Sequence, residues 1–390
     1  MLSRAYKGKT VFLTGHTGFK GAWLSEWLLM LEARIVGFAL DPPSTPSLFE
    51  QLDLERRIES DIRADVRDAQ RLHSEIEKHR PDFVFHLAAQ TLVGPSYRDP
   101  IYNHQTNIMG TINTLEAVRR SGHECVVIVV TTDKVYENRE WDLPYREDDP
   151  LGGHDPYSAS KACCEIIASS YRRSFFDNEA DSSKAPRVCV ATVRAGNVIG
   201  GGDWAADRIV PDCMRSLARG EAVPVRNKTA TRPWQHVLEP LGGYLLLGAR
   251  LAPAPPGTDF VAGAQRRALC TAYNFGPNTS SNRTVADLVQ EVLKHWPGGW
   301  VDRSDPRAPH EAGKLNLASD KAFHQLGWYP QWDFEQTIQR TVDWYRAVSQ
   351  RGEKPGDGFI GSLTREHIAD YAGGCTYLRA AQASLAGYTR

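Results

Sequence analysis

The 390-residue chain has no run of about 18 apolar residues, the length a helix needs to cross a bilayer. LGGYLLLGARL at 241–251 is too short to do so. The first ten residues, MLSRAYKGKT, have no apolar core of signal-peptide type. No membrane association is expected, and the expected location is the cytoplasm. The seven cysteines (Cys125, Cys163, Cys164, Cys189, Cys213, Cys270 and Cys375) are odd in number and contain no CxxC spacing. That excludes a disulfide framework and a structural zinc site, so free thiols and no metal are expected. Charge of neither sign dominates. Against 46 Lys+Arg stand 47 Asp+Glu, giving a formal net charge of -1. No nucleic-acid partner is expected, although a local basic pocket is compatible with this balance. There is no internal repeat.

What is present is a regular alternation. KTVFLT at 9–14, IVGFAL at 35–40, an edge after DLERRIES, PDFVFHLAA, CVVIVVTT and VCVATVRAG read as strands. AWLSEWLLMLEA, DAQRLHSEIEKH, residues 101–120 and PYSASKACCEIIASSYRRSF read as helices. Strands apolar on both faces, alternating with helices, predict a parallel sheet covered on both sides. The later half is less regular. AADRIVPDCMRSLARG, HVLEPLGGYLLLGARL, TVADLVQEVLKHW and DFEQTIQRTVDWYRAV read as helical, and APAPPGTDFVAGAQRR as a surface loop. The expected division is a nucleotide-binding domain over 1–195, with a segment near 232–275 as a candidate to return and complete it. Residues 196–231 and 276–350 form the expected substrate lobe. Residues 351–390 are an extension with no assigned role.

Gly15-His16-Thr17-Gly18-Phe19-Lys20-Gly21 lies between the first strand and the first long helix. Its glycines permit a tight turn and close approach to a pyrophosphate, and the helix N-terminus offers oriented N–H donors. No GK[ST] ends the loop, so it is not a Walker loop. Lys20 is either a phosphate contact or a solvated side chain. Asp41, 20 residues after Gly21, ends the second strand and can accept hydrogen bonds from an adenosine ribose. Asp65, after the third strand, can border the adenine. Together they favour NAD over NADP, because a ribose phosphate would face repulsion.

Tyr157 and Lys161 are four residues apart in YSASK, on one helix face. A cationic Lys161 near the phenol is expected to lower its pKa, making it a base toward a hydroxyl. Thr131-Thr132-Asp133-Lys134 ends the fifth strand, where ligands bind in such sheets. The Thr hydroxyl can complete a relay. Asp133 can act as an acid if its pKa is raised, and Lys134 as a base if its pKa is depressed. An ion pair at a strand end is the bland alternative.

These segments resemble the extended short-chain dehydrogenase/reductase family, the NAD-dependent epimerases and dehydratases. The resemblance rests on TGHTGFKGAWL, HLAAQ, TTDKVYEN, YSASK, RAGNVIGGGDW and RPWQHVLEP, and covers about residues 8–350. The Asp-Lys pair is similar to that of the branch that dehydrates cytidine diphosphate glucose; thymidine-nucleotide relatives carry Asp-Glu. The resemblance implies an α/β fold, with a Rossmann-type parallel sheet and a smaller mixed α/β C-terminal substrate-binding domain. It implies NAD as cofactor, held by Gly15, Thr17, Gly18, Phe19, Gly21, Asp41, Asp65, Leu87, Ala88, Ala89, Thr106, Tyr157 and Lys161. It implies Thr132, Tyr157 and Lys161 as a redox triad, Asp133 as acid and Lys134 in the place of the base. CDP-D-glucose is the implied substrate, and a homodimer or homotetramer the implied assembly. For the substrate, Gln90 and Asn197 match the family's binding motifs. Arg208 and Arg232, with His236 nearby, and Arg307 with His310 are candidates for an anionic sugar nucleotide, since Arg's fork suits pyrophosphate. The alternatives are another sugar-nucleotide 4,6-dehydratase, a sugar-nucleotide epimerase and, from a different class, a noncatalytic NAD-binding module.

Overall fold

β-Branched and aromatic residues fill the expected strands, and these pair edge to edge. The computed structural model describes residues 1–177, 187–206, 208–253, 260–304, 314–352 and 358–378. Its central sheet contains β1 (Thr10–Thr14), β2 (Arg34–Ala39), β3 (Ser60–Arg63), β4 (Phe83–His86), β5 (Cys125–Val130), β6 (Val188–Arg194) and β7 (Ala272–Asn274). All pairings are parallel, in the order β7-β6-β5-β4-β1-β2-β3. Side chains alternate along each strand, so Val11 and Leu13 enter one core while Phe12 enters the other. The strand order reverses between β1 and β4, which opens a crevice beyond their C-terminal ends.

Helices cover both faces. α1 (Phe19–Met30) contributes Trp23, Leu24 and Trp27 to the first core, whereas α2 (Ala69–His79), α3 (Gly110–Ser121) and α4 (Pro156–Tyr171) close the second. Asp155 caps α4 by accepting the Ser158 N–H at 2.9 Å, and Pro156 occupies its first turn. The helix expected over 101–120 is broken by a π-turn at Gln105–Met109. Within that turn Asn107 is buried and donates to Ser160 Oγ at 2.8 Å and to the Gln90 carbonyl at 3.0 Å.

The chain returns late to finish the sheet. α5 (Leu238–Leu251) lies in the first core, and β7 pairs β6 with Ala272 opposite Thr192. Gly248 of α5 is needed for close approach: a Cβ there would stand 2.3 Å from the Tyr6 hydroxyl, which donates to the Leu245 carbonyl. One expectation needs correction, and one unassigned segment gains a structure. Phe260–Ala268 is a helix, not surface loop, while residues 254–259 lie outside the described ones. The unassigned C-terminal segment contains α6 (Phe359–Gly374), which packs back on α1. Tyr371 meets Trp27 edge to face at 5.8 Å, and Arg365 reaches Glu26 at 3.1 Å. The remaining lobe is built from two-stranded pairs, 198–199 with 235–236, 231–233 with 282–284 and 223–225 with 300–302, plus helices at 209–218, 285–295 and 334–351.

Candidate active site

The crevice begins at the β1 end. The Thr14 hydroxyl accepts the N–H groups of Leu87 and Ala88, both at 3.1 Å, which ties the glycine loop to the segment after β4. Gly15 has φ +76°, and a Cβ on it would lie 2.7 Å from the Ala88 nitrogen. A Cβ on Gly21 would lie 2.2 Å from the Gly15 carbonyl oxygen. Gly18 is the N-cap of α1 and supplies no side-chain cap, so the donors of the first turn stay available to a ligand. The Thr17 hydroxyl donates to the Leu40 carbonyl at 2.9 Å, and Phe19 opens α1. Thr106, on the π-turn, has a buried hydroxyl without a partner among the described residues. The glycine cradle, the uncapped helix start and the orphan hydroxyl fit a dinucleotide.

Asp41 stands beyond β2 with its side chain 91% exposed and Arg63 3.3 Å away. Asp65 pairs with Arg67 at 2.7 Å and borders a cavity of about 520 Å³ that Gln105, Met109 and Asn113 help to line. Sequence reasoning missed Asp61 on β3. Its carboxylate meets the buried His16 ring at 2.8 Å, and Arg63 forks onto it. Burial opposes ionisation of Asp61, but the hydrogen bonds from His16 and Arg63 hold its carboxyl below the usual range. A lone Asp inside a short strand gives no signal of this in sequence.

The candidate reacting groups meet between β5 and α4. Thr132, Asp133 and Val135 are buried on the turn that follows β5, and Lys134 between them is half-buried. The Thr132 hydroxyl donates to Asp133 Oδ1 at 2.9 Å and is also within hydrogen-bond reach of Tyr157. Burial raises the Asp133 carboxyl above its ordinary range, against the pull of Lys134 and of the Thr132 bond. Raised pKa is the condition a carboxylic acid needs to donate a proton near neutrality. The Tyr157 phenol differs from expectation. Burial pushes it up rather than down, and the main force opposing that is the Thr132 hydrogen bond, not Lys161. The Lys161 ammonium instead donates to the Val130 carbonyl at 3.0 Å, and burial lowers its own pKa.

Lys20 also belongs here. Burial, aided by repulsion from Lys161 and Arg208, drops its ammonium to about 8, and it lies 5.7 Å from the Tyr244 ring. Its place after a glycine-loop Phe was the only sequence signal.

The expected substrate residues divide. Arg208 pairs with Asp203 at 2.8 Å, and the charge of Arg232 is felt at Asp133. Asn197 is half-buried beside Gly196, where a Cβ would approach Asp133 Oδ2 to 2.8 Å. Gln90 is tied down by the Asn103 amide at 2.6 Å and donates to the Leu92 carbonyl at 3.1 Å. His236, a candidate substrate contact, lies in the core. It is fully buried between Trp23 and Trp332, with ring centroids 5.8 and 4.9 Å away, because the strand pairing at 198–199 turns it into the core. Arg307 and His310 lie outside the described residues. Among the described residues no cluster of metal-ligating side chains occurs, and no helix is long and apolar enough to cross a membrane.

Comparison with known proteins gives this geometry a family. The chain is 45% identical over 373 residues to a CDP-glucose 4,6-dehydratase of Salmonella typhimurium, covering 95% of this chain and 98% of that one. It is 32% identical over 291 residues to a dTDP-glucose 4,6-dehydratase of Streptomyces antibioticus, covering 73% and 76% of the two chains. Among solved structures, a dTDP-glucose 4,6-dehydratase of Streptomyces venezuelae superposes with a TM-score of 0.70 at 23% identity, covering 88% of this chain and 99% of that one. An epimerase of Methanothermobacter thermautotrophicus superposes with a TM-score of 0.72, also at 23% identity, covering 90% and 96%. These two show the fold. The family model described as GDP-mannose 4,6 dehydratase matches residues 12–341, and the chain belongs to that family.

Proposed function

We propose that the chain converts CDP-D-glucose to CDP-4-dehydro-6-deoxy-D-glucose and water with NAD as bound cofactor. The observation that carries this reading is the raised Asp133 carboxyl on the same turn as Thr132 and Lys134, next to Tyr157. A simple alcohol oxidation or an epimerisation needs no acid there. The 45% identity to a CDP-glucose 4,6-dehydratase supports the choice of substrate.

The glycine loop with Thr17, Phe19, Asp41, Asp65, Leu87, Ala88, Ala89 and Thr106 would hold the cofactor, and Tyr157 and Lys161 would border its reactive end. When bound, NAD supplies a hydride acceptor for C4 and a hydride donor for C6. Tyr157 takes the C4 hydroxyl proton, with Thr132 completing the relay. The ketone formed at C4 acidifies the C5 proton, which Lys134 removes. Asp133 gives its proton to the C6 hydroxyl, which leaves as water. A proton returns to C5 as C6 becomes a methyl group, so the balance is one sugar nucleotide to one keto-deoxy sugar nucleotide and one water. Arg208 and Arg232 orient the pyrophosphate, with Gln90 and Asn197 at the sugar. The same reading places the enzyme in the cytoplasm as a homodimer or homotetramer.

The test is product mass from CDP-, dTDP-, UDP- and GDP-glucose. Loss of one water from CDP-D-glucose, with solvent deuterium at C5, is the expected result. An isomer of unchanged mass would replace this reading by epimerisation, and loss of water only from another nucleotide would move the base preference.

A further inference from the structure

We infer that Glu165, Arg194 and Tyr136 form a clamp that positions the Asp133-Lys134 turn relative to Tyr157; its catalytic part rests on the dehydratase reading above. Tyr157, Lys161 and Glu165 follow each other at intervals of four on α4, so they share one helix face. The first two border the reaction. Glu165 is 2% exposed and points to the back of the catalytic turn. One carboxylate oxygen accepts the Thr131 hydroxyl at 2.5 Å. The other accepts Thr192 Oγ1 at 2.6 Å and Arg194 Nη2 at 3.0 Å.

Arg194 carries the connection onward. Its Nη1 donates to the Tyr136 hydroxyl at 2.7 Å and to the Glu147 carbonyl at 3.0 Å. The Tyr136 hydroxyl donates to Asn274 Oδ1 at 2.7 Å. The Asn274 amide then donates to the carbonyls of Tyr145 at 2.9 Å and Ala318 at 3.1 Å. Thr131 and Tyr136 are the residues on either side of Thr132-Asp133-Lys134-Val135. The network therefore grips both ends of the segment that holds the acid and the base. It refers them to the helix that carries the phenol.

Stability alone does not explain this arrangement. A buried ion pair loses hydration on both sides, and apolar residues of like volume often stabilise as well. Arg194 Nε also remains buried without a partner among the described residues. Pre-organisation gives the network a use. The C4 hydroxyl and the C5–C6 bond sit on one sugar, so the groups that oxidise and the groups that eliminate must keep a set spacing.

Tyr136→Phe and Glu165→Gln test this in the full chain. Tyr136→Phe removes one hydroxyl and keeps the ring stacked on Tyr145, so it serves where Glu165→Gln fails to fold. Without substrate, amide hydrogen exchange over residues 131–136 should rise roughly tenfold. With CDP-D-glucose, C4 oxidation, followed by rapid-mixing absorbance, should stay within about twofold of wild type, while C5 deuterium exchange and water release fall about tenfold. An unchanged amide exchange, or oxidation and elimination falling together, would overturn the clamp. A wild-type protein that releases no water from CDP-D-glucose would end the dehydratase reading, and the amide-exchange arm would still decide whether the clamp exists.

Discussion

Asp133 and Glu165 are both buried carboxylates at the C-terminal end of β5, and their surroundings drive them in opposite directions. Burial opposes ionisation of both. Glu165 receives two hydroxyl donors and the Arg194 guanidinium, and these hold it below its ordinary range despite burial. Asp133 forms no ion pair among the described residues; its near donor is the Thr132 hydroxyl, and burial wins. One turn thus has a front carboxyl suited to give up a proton and a back carboxylate suited to hold a cation. The difference lies in the partners, not in the residue type.

The sharpest way to break this comparison is Asp133→Asn. Water release should fall about a thousandfold, while C4 oxidation survives. In the wild type, elimination should decline as pH rises through the raised Asp133 pKa, because the acid must carry its proton. A pH profile of water release in the presence of saturating CDP-D-glucose checks this, and an equal loss of oxidation would count against the front–back division. Next in size, Glu165→Ala leaves Arg194 buried and uncompensated, with an expected loss of about 3–5 kcal/mol in denaturant unfolding. A loss under about 1 kcal/mol would mean that solvent reaches the pair.

A third buried carboxyl extends the series. Glu239 accepts the N–H groups of Gln331 and Trp332 and the Tyr371 hydroxyl, yet burial lifts it to about 7. The folded protein therefore holds this proton more tightly than the unfolded chain. Its contribution is full below the ordinary glutamate range and is lost as pH rises through about 7, worth about 3 kcal/mol. Buried His367, held down to about 4, acts oppositely as pH falls below its ordinary value. Glu239→Gln should therefore lose stability less steeply than wild type between about pH 5 and about pH 8, and unfolding at both values isolates the difference. The smallest effect belongs to an accessible carboxylate. Asp155→Ala removes the cap of the helix that carries Tyr157 and should cost about 1 kcal/mol, read by thermal melting.

Local patterns made the first half of the fold legible. The two-residue alternation of β1 and the stripe through Tyr157 and Lys161 are set by neighbours a few residues apart. The glycine loop is local only in part: Gly21 answers to the Gly15 carbonyl within the loop, whereas Gly15 answers to the distant Ala88. Less was legible where partners are distant. The Phe260–Ala268 helix follows a Pro-rich stretch that reads as loop. The segment after 352 is Gly-rich, yet its described part forms a helix anchored by Trp27 and Glu26.

The order of strands and helices and the residue types able to bind a dinucleotide or move protons follow from near-neighbour sterics and hydrophobic period. Those forces act along the chain and leave their spacing in it. The charge states within the site do not. Tyr157 is raised where the Lys four residues on suggested lowering, His236 is core where its motif suggested substrate, and Glu165 on α4 gains Arg194 from β6. Desolvation and ion pairing depend on which distant groups the fold brings within a few ångströms, and only the assembled sheet and its helices set those distances.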